Sequence, residues 1–268
     1  MDTRELAYII RKNAVEMTHS AKSSHVGAML SIADIMAVLY GQVLTKRPDC
    51  PKWPERDRFI LSKGHAGAAL YIALAYTGYF SIDELKTYYL NSSRLSGHVS
   101  HHLPGVELST GSLGHGLSVG AGMAYAAKLD TRKHRIFVLA GDGECDEGSI
   151  WEAAMFAAHH QLSNLVLIVD FNKIQSLAST EETLRLEPFA DKWVSFGWDI
   201  SEVDGHNHEA LSETLNIKAS LLNKPKCIIA HTVKGKGISF MENSVLWHYR
   251  SPQGEEYEKA LKELEMSK

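Results

Sequence analysis

Residues 135–175 read RIFVLAGDGECDEGSIWEAAMFAAHHQLSNLVLIVDFNKIQ. Two continuous apolar runs, at 135–140 and 165–170, flank a helical stretch at 150–160. Apolar runs that do not alternate with polar residues are typical of parallel strands buried on both faces. The order strand, glycine turn, helix, strand therefore predicts one βαβ unit of a parallel sheet.

The same pattern recurs on both sides of this unit. RFIL at 58–61 precedes the turn SKGHAG, and KCIIAHTV at 226–233 precedes the turn KGKG. Helical stretches separate these strands, and the predicted helices span 66–76, 117–127, 150–160 and 208–222. We therefore predict an α/β fold with a doubly wound, mostly parallel sheet, formed by a single domain over residues 1–268.

The two ends of the chain carry further predicted helices. Apolar residues at helical spacing predict an amphipathic opening helix, and these residues are Leu6, Ile9, Ile10, Ala14 and Met17. Residues 31–34, SIAD, read as a capping signal for a second helix. The segment 235–268, after Lys234, is predicted to be a loosely attached loop followed by a closing helix.

Composition excludes several classes of protein. The 268 residues include 28 basic and 32 acidic side chains, for a net charge of -4 without a basic block, which argues against nucleic-acid and membrane partners. No apolar stretch approaches the roughly 20 residues that span a bilayer, and the start is unlike a secretory signal. Cys50, Cys145 and Cys227 are widely spaced and form no CxxC pair, which argues against a disulfide framework. This cysteine usage favours a location in the reducing cytoplasm.

A metal site is predicted where two neighbouring strands end. Asp142, within Gly141-Asp142-Gly143, follows one strand and Asn172 follows the next, so both side chains should meet at one sheet edge. Magnesium or calcium takes oxygen ligands, which Asp142, Asn172 and the main chain of Ile174 could supply. Gly141 and Gly143 would let backbone amides approach a phosphate. The alternative is that GDG is only a turn before a helix.

Several of the 14 histidines lie in glycine-rich turns and loops rather than on helix faces. They are His25 in SSHVGA, His65 in SKGHAG, His98 in LSGHVS, His115 in GSLGHG and His248 in VLWHYR. Imidazole can donate or accept a hydrogen bond near neutral pH, so these side chains are candidates for ligand contacts. The alternative is that each bonds only to backbone or water. We prefer that alternative for His19, His134, His159, His160, His206, His208 and His231, and leave it open for His101 and His102.

The stretch 141–175 resembles the thiamine-diphosphate motif of transketolases, and STGSLGHG at 109–116 resembles their TGxLGQG segment. Together with SSHVG and SKGH, these turns fit transketolases better than deoxyxylulose-phosphate synthases or 2-oxo acid dehydrogenase subunits. Two departures stand out. Phe171 precedes Asn172 where the family usually has asparagine or aspartate, which leaves the neighbouring polar contact open, and His115 replaces the usual glutamine.

The resemblance implies roles for the turn residues. His65 and His248 would contact the cofactor diphosphate and the substrate, while His25 and His98 would hydrogen-bond substrate hydroxyls and the carbonyl oxygen. Further cofactor contacts are implied for Gly111, Leu113, Gly141, Gly143, Glu147 and Asn172. Residues 111–113 could instead only cap the following helix. Glu147 matches a glutamate of a carboxylate network at the family's subunit interface, or is an acidic first-turn residue favoured by the helix dipole.

The resemblance covers nearly the whole chain but only the first domain of a transketolase. These enzymes use thiamine diphosphate and a divalent metal, Mg²⁺ or Ca²⁺, to move a two-carbon ketol unit between sugar phosphates. A C-terminal transketolase subunit would then supply the pyrimidine-binding domain and the catalytic glutamate, in an α2β2 heterotetramer.

The substrate is less determined by these residues. The default pair is xylulose 5-phosphate with ribose 5-phosphate, as in the pentose phosphate pathway, and a branched or sulfonated sugar stays open. A regulatory nucleotide-binding α/β domain is the alternative outside the enzymes.

Overall fold

The computed structural model describes residues 1–216 and 223–267, and a parallel sheet forms its centre. The strands are β1 (Arg58–Leu61), β2 (Ile136–Gly141), β3 (Leu165–Phe171), β4 (Asp199–Asp204) and β5 (Lys226–His231). Their order across the sheet is β1-β2-β3-β5-β4, and each neighbouring pair is parallel. The prediction of a parallel α/β sheet is confirmed.

Helices connect and cover these strands. They are α1 (Thr3–Ala21), α2 (Val26–Ser31), α3 (Ala33–Val38), α4 (Gly67–Tyr76), α5 (His115–Leu129), α6 (Gly148–His159), α7 (Thr180–Thr183), α8 (Phe189–Ser195), α9 (His208–Leu215) and α10 (Glu255–Met266). Helices α4, α5 and α6 match the predictions. The helix predicted at 208–222 begins as α9, and its part at 217–222 lies outside the described residues. No helix within the described ranges has the length and apolar character that a bilayer crossing requires.

Both faces of the sheet are covered by helices. Phe137 and Leu139 of β2 join an apolar core shared with α1, α3 and α4. Ile136, Val138 and Ala140 point the other way, into a second core shared with α5, α6 and α8. All five side chains are buried, which explains why this strand reads as a continuous apolar run. The doubly wound arrangement is therefore confirmed.

Strand β4 is an edge strand that the sequence pattern did not predict. Its sequence DISEVD interrupts the apolar residues with charged ones. Val203 is buried, whereas Glu202 and Asp204 on either side of it are exposed. Because one face of this strand meets solvent, it lacks the continuous apolar run by which the other strands were recognised.

The predicted capping signal at 31–34 is wrong. Ser31 is the last residue of α2, and Ile32 precedes α3 without a side-chain cap. The buried Ser31 hydroxyl instead donates to Asp170 Oδ1 at 2.6 Å, and Asp34 is buried among partners from other elements. Both side chains serve contacts between distant parts of the chain, which their local pattern did not indicate.

The segment after Lys234 packs firmly against the first two helices. It forms an apolar cluster made of Val15, Val26, Leu30, Ile238, Met241, Trp247, Ala260 and Leu264. The predicted closing helix is α10, and two of its residues belong to this cluster. The prediction of a loosely attached tail is wrong, because the tail completes a buried core with α1 and α2.

Candidate functional site

A cavity of about 270 Å³ opens at the carboxyl-terminal edge of the sheet, where ligands bind in open parallel sheets. The turns after β1, β2, β3 and β5 reach it, as do the residue before α2 and the short helical turn Val245–His248. The predicted site residues that line it are His25, His65, His98, Gly111, Leu113, Gly141, Asp142, Gly143, Asn172, Ile174 and His248. The structure thus brings together the predicted site residues except Glu147 and His115.

Asp142 and Asn172 meet at the turn after β3. The buried Asp142 carboxylate accepts from the backbone N–H of Gly143 at 2.7 Å and from that of Lys173 at 2.5 Å. Asn172 is adjacent to Lys173, and its Oδ1 accepts from the backbone N–H of Ile174 at 3.1 Å. The carboxylate, the amide and the backbone of residue 174 therefore converge, as the sequence predicted.

Asp170 sets the orientation of the Asn172 amide. It is fully buried near the end of β3, and its Oδ2 accepts from Asn172 Nδ2 at 3.1 Å. Phe171 lies between them and stacks on Phe189, with ring centroids 5.3 Å apart. Alternate residues of a strand face opposite sides, so residue 171 points away from the amide. The polar neighbour of Asn172 is residue 170, which resolves the contact that the sequence left open.

The donor set at this turn suits a hard cation. Burial, together with the nearby Asp170 carboxylate, raises the pKa of Asp142 to about 7, and a bound cation would favour its charged form. Within the described ranges no group of three or more His, Cys, Asp or Glu side chains could hold a metal. One carboxylate with an amide oxygen and the backbone carbonyl of Ile174 is instead an oxygen-only set, which magnesium shares with phosphate groups.

Two buried lysines that the sequence pattern did not indicate also line the cavity. Lys63 pairs with the Asp170 carboxylate. Lys234 Nζ donates to the backbone carbonyls of Ile174 at 2.9 Å and Gln175 at 3.1 Å, and lies 2.9 Å from His248 Nδ1. Burial, followed by the charge of Lys63, lowers the pKa of Lys234 to about 8. Two ammonium groups beside one cavity favour a polyanionic ligand.

Glu144, rather than Glu147, is the buried glutamate of this region. It accepts hydrogen bonds from the Ser62 hydroxyl, from the Gly114 N–H at 2.9 Å and from the Gly141 N–H at 3.2 Å. Burial raises the pKa of Glu144. The Glu144 side chain lies at the cavity wall, where its hydrogen bonds hold these loops together. Glu147 is exposed at the start of α6 and does not line the cavity, so the structure does not bring it to the other residues predicted to contact the cofactor.

Four histidines gather on one side of the cavity. The ring centroid of His25 lies 5.1 Å from that of His65, 5.9 Å from that of His98 and 5.1 Å from that of His248. His25 has a φ of 76°, a left-handed conformation that a non-glycine residue keeps only where its surroundings impose it. Its backbone N–H donates to the carbonyl of His248 at 2.8 Å, which helps to fix this conformation.

Other histidines of glycine-rich turns and loops lie away from the cavity. His115 is exposed at the start of α5. His101 and His102, which the sequence left open, are exposed, and their ring centroids lie 4.3 Å apart. His101 Nδ1 lies 2.7 Å from Ser109 Oγ. The structure does not bring these three residues to the site.

Two of the clustered histidines, His25 and His248, are neutral at pH 7. Burial, followed by the nearby histidine and lysine side chains, lowers the pKa of His25 to about 4. Burial, followed by Lys234, lowers the pKa of His248 to about 3. A neutral imidazole can donate from one ring nitrogen and accept with the other, which suits contacts with sugar hydroxyls.

Acid should destabilise the fold through His25. Its pKa lies at the ordinary 6.5 in the unfolded chain and at about 4 in the folded chain, so the unfolded state binds more protons between these values. The stability contribution is complete above pH 6.5 and is lost as the pH falls toward 4. Urea unfolding of the wild type and of His25→Gln at several pH values measures this. We expect the wild type to lose more stability on acidification, and parallel losses would contradict the prediction.

Comparison with known proteins decides the family. Residues 2–266 match the family described as "Transketolase, thiamine diphosphate binding domain". The chain belongs to the transketolase family. This transketolase chain is 44% identical over 254 residues to an apulose-4-phosphate transketolase subunit of Phocaeicola vulgatus, covering 95% of this chain and 90% of that protein. It is 41% identical over 266 residues to a 6-deoxy-6-sulfo-D-fructose transketolase subunit of Clostridium sp., and the match covers 99% of this chain and 97% of that protein.

Solved structures agree with this assignment. The transketolase of Campylobacter jejuni superposes with a TM-score of 0.92 at 33% identity, over 99% of this chain but 43% of that one. The transketolase chain thus spans less than half of that enzyme, while it spans nearly the full length of the two relatives named as subunits. The predicted family, fold class and enzyme class, a thiamine-diphosphate-dependent transketolase, are confirmed.

Proposed function

We propose that this chain is the diphosphate-binding subunit of a two-subunit transketolase. The complex would transfer a two-carbon ketol unit from a ketose phosphate to an aldose phosphate. The observation that carries the proposal is the convergence of Asp142, Asn172 and Ile174 on the cavity that Lys63 and Lys234 also line. Relatives of similar length that are named as transketolase subunits support the two-chain organisation.

The residues of the cavity fit the cofactor and its metal. Thiamine diphosphate, when bound, supplies the electron sink for cleavage of the carbon-carbon bond. We assign its diphosphate to the ammonium groups of Lys63 and Lys234. The metal, Mg²⁺ in preference to Ca²⁺, is assigned to the oxygens of Asp142, Asn172 and Ile174, because magnesium typically binds a few protein oxygens together with phosphate oxygens.

The clustered histidines would bind the sugar. The Lys234 ammonium can only donate a hydrogen bond, so His248 Nδ1 accepts it and the proton of the neutral ring lies on Nε2. That Nε2–H remains available as a donor. His25 and His98, whose rings lie 5.9 Å apart, are placed to bind hydroxyl groups and the carbonyl oxygen of a ketose.

The other half of the active site would come from a partner. We assign the pyrimidine-binding domain and the catalytic glutamate to a C-terminal transketolase subunit, in an α2β2 heterotetramer. Exposed apolar side chains lie beside the cavity: Leu177 is 80% exposed, and Leu246 and Tyr249 are more than half exposed. Exposed apolar groups around an active site are typical of a surface that contacts another protein.

We treat residues 1–268 as one diphosphate-binding domain, located in the cytoplasm. The C-terminal segment supports the assignment to one domain, since α10 shares a buried core with α1 and α2.

The cysteines support the cytoplasmic location. Cys50, Cys145 and Cys227 are free thiols, as proteins of a reducing compartment generally keep them.

A specialised sugar is the second candidate for the substrate. The two relatives described above are named for apulose 4-phosphate and for 6-deoxy-6-sulfo-D-fructose, rather than for the sugars of the pentose phosphate pathway. A donor panel of xylulose 5-phosphate, apulose 4-phosphate and 6-deoxy-6-sulfofructose, each offered with an aldose phosphate, would distinguish the candidates by their kcat/KM values.

The two-subunit proposal predicts that the purified chain lacks ketol transfer and gains it when the C-terminal subunit is added. The reason is that this chain would carry the diphosphate site without the pyrimidine site. Product formation is measured with either chain by itself and with the mixture of both. Full activity of the isolated chain would contradict the two-subunit organisation. If thiamine diphosphate with Mg²⁺ leaves the melting temperature unchanged, even with the partner present, the regulatory-domain alternative gains support.

A further inference from the structure

A buried polar cluster lies beneath the loop that carries Lys234. Its centre is the Asp34 carboxylate, which pairs with the Arg11 guanidinium. His206 Nδ1 lies 2.6 Å from Asp34 Oδ2, and His208 Nε2 lies 2.9 Å from Asp34 Oδ1. Burial alone would raise the pKa of Asp34, but its hydrogen bonds with both histidines and the charge of Arg11 hold it well below its usual range. None of these four residues lines the cofactor cavity.

Two members of this cluster, His206 and Arg11, form hydrogen bonds with the backbone of the loop at 233–236. The backbone N–H of Val233 donates to His206 Nε2 at 2.8 Å. Arg11 Nε donates to the backbone carbonyl of Lys236 at 3.2 Å. Lys234 lies between these two anchor points, so Asp34 organises contacts on both sides of the lysine.

The contacts of His206 fix its tautomer. A backbone N–H can only donate, so His206 Nε2 must be the unprotonated acceptor and the proton must lie on Nδ1. That Nδ1–H donates to the Asp34 carboxylate. Asp34 therefore holds the tautomer that accepts from Val233, in the way that a carboxylate behind a metal-binding histidine sets its tautomer and orientation.

The position of this anchored loop determines the position of Lys234. The lysine bridges the backbone carbonyls of Ile174 and Gln175 and also reaches His248, so any displacement changes all three contacts. Gly235 follows it with a φ of 82°, and a Cβ at this position would collide with the Met241 carbonyl. The backbone beside Lys234 thus has little freedom to compensate for a lost anchor.

We infer that Asp34, acting through His206 and Arg11, is a positioning residue for Lys234 and thereby for the binding of a diphosphate group. The sequence favoured an interpretation of His206 as a histidine that only bonds to backbone or water, and its contact with Asp34 contradicts this. The structure adds the link to Asp34 and to the loop of Lys234. This inference rests on the proposed function, because it needs Lys234 to contact the diphosphate.

A matched pair of substitutions tests the inference. His206→Asn can still contact Asp34 but has no atom in place of Nε2, whereas His206→Gln keeps an acceptor near that position. The affinity of the full-length chain for thiamine diphosphate in excess Mg²⁺ is measured by calorimetry. We expect His206→Asn to weaken binding by about 10- to 100-fold, as for lost outer-shell partners of metal ligands, and His206→Gln to restore most of it. The control is His231→Asn, which changes a half-exposed histidine bonded to Glu202.

A double substitution separates positioning from general damage to the fold. If His206 acts through Lys234, the change His206→Asn should cost no further affinity in a Lys234→Met background. Independent, additive losses in the two variants would overturn the inference. Weak binding by His206→Gln equal to that of His206→Asn would also overturn it, because the acceptor toward Val233 would then be irrelevant.

The remaining outcomes distinguish the inference from the proposed function. If the wild-type chain and its two-subunit complex fail to bind thiamine diphosphate, the proposed function fails first. If the wild type binds and His206→Asn binds equally well, only the inference fails. Should circular dichroism show that His206→Asn is unfolded, Arg11→Lys gives the same test. This substitution keeps a positive charge beside Asp34 but removes the Nε donor to the Lys236 carbonyl. Wild-type affinity of the Arg11→Lys chain for thiamine diphosphate would overturn the inference.

Discussion

Replacing Asp142 by asparagine is expected to abolish the rise in melting temperature that thiamine diphosphate with Mg²⁺ gives the wild-type chain. The same variant should lower ketol transfer in the two-subunit complex by roughly 10²- to 10³-fold. The carboxylate supplies the one negative charge among the three proposed metal ligands. Leaving a buried charge without its partner costs about 3–5 kcal/mol, and each 1.4 kcal/mol corresponds to about tenfold in affinity.

The control for this prediction is Asp191→Asn, which removes an exposed carboxylate on α8. It should keep both the cofactor-induced stabilisation and the activity. Circular dichroism of the cofactor-free Asp142→Asn chain should match the wild type, since asparagine has nearly the same shape. A wild-type shift of the melting temperature in Asp142→Asn would place the metal on other residues and contradict the assignment.

The strands that sequence could predict are those buried on both faces. Residues 136–140 and 165–169 are continuous apolar runs because helices cover both sides of these strands. Strand β4 was not predicted because Glu202 on its exposed face interrupts the apolar residues. The wrong cap at Ser31 has a related cause, since the pattern could not reveal that this hydroxyl bonds to Asp170, which is distant in sequence.

The site was predictable where its residues follow strands in glycine turns. Asp142 and Asn172 could be paired because parallel strands end at the same sheet edge. Lys63 and Lys234 follow strands in the same way, but lysines are mostly exposed, so their burial had no sequence signal. Their location at strand ends was the one signal that could have identified them.

The choice between Glu147 and Glu144 could not be made from sequence. Both glutamates fall in the short stretch between β2 and α6. Glu144 is the cavity residue because its carboxylate accepts from Gly141 at the end of β2 and from Ser62 and Gly114 in two other loops. Such convergence depends on tertiary structure, which local spacing does not encode.

Replacing Lys63 by methionine should lower the free energy of unfolding by about 3–5 kcal/mol. The Lys63 ammonium is buried and pairs with Asp170, which is also fully buried. Burial alone would raise the pKa of Asp170, and the adjacent Lys63 charge instead lowers it. Methionine fills similar space without the charge, so the carboxylate would stay buried without a cationic partner. The measurement is urea unfolding of the single variant and of the wild type.

The double variant Lys63→Met with Asp170→Asn separates the two roles of this lysine. Removing both charges should recover most of the lost stability, because no unpaired charge then remains in the core. Binding of thiamine diphosphate should stay weak in the double variant, since the ammonium beside the cavity is still missing. A double variant as unstable as Lys63→Met would show that the ion pair is not the source of the loss. Recovery of both stability and binding would show that Lys63 supports Asp170 without serving the diphosphate.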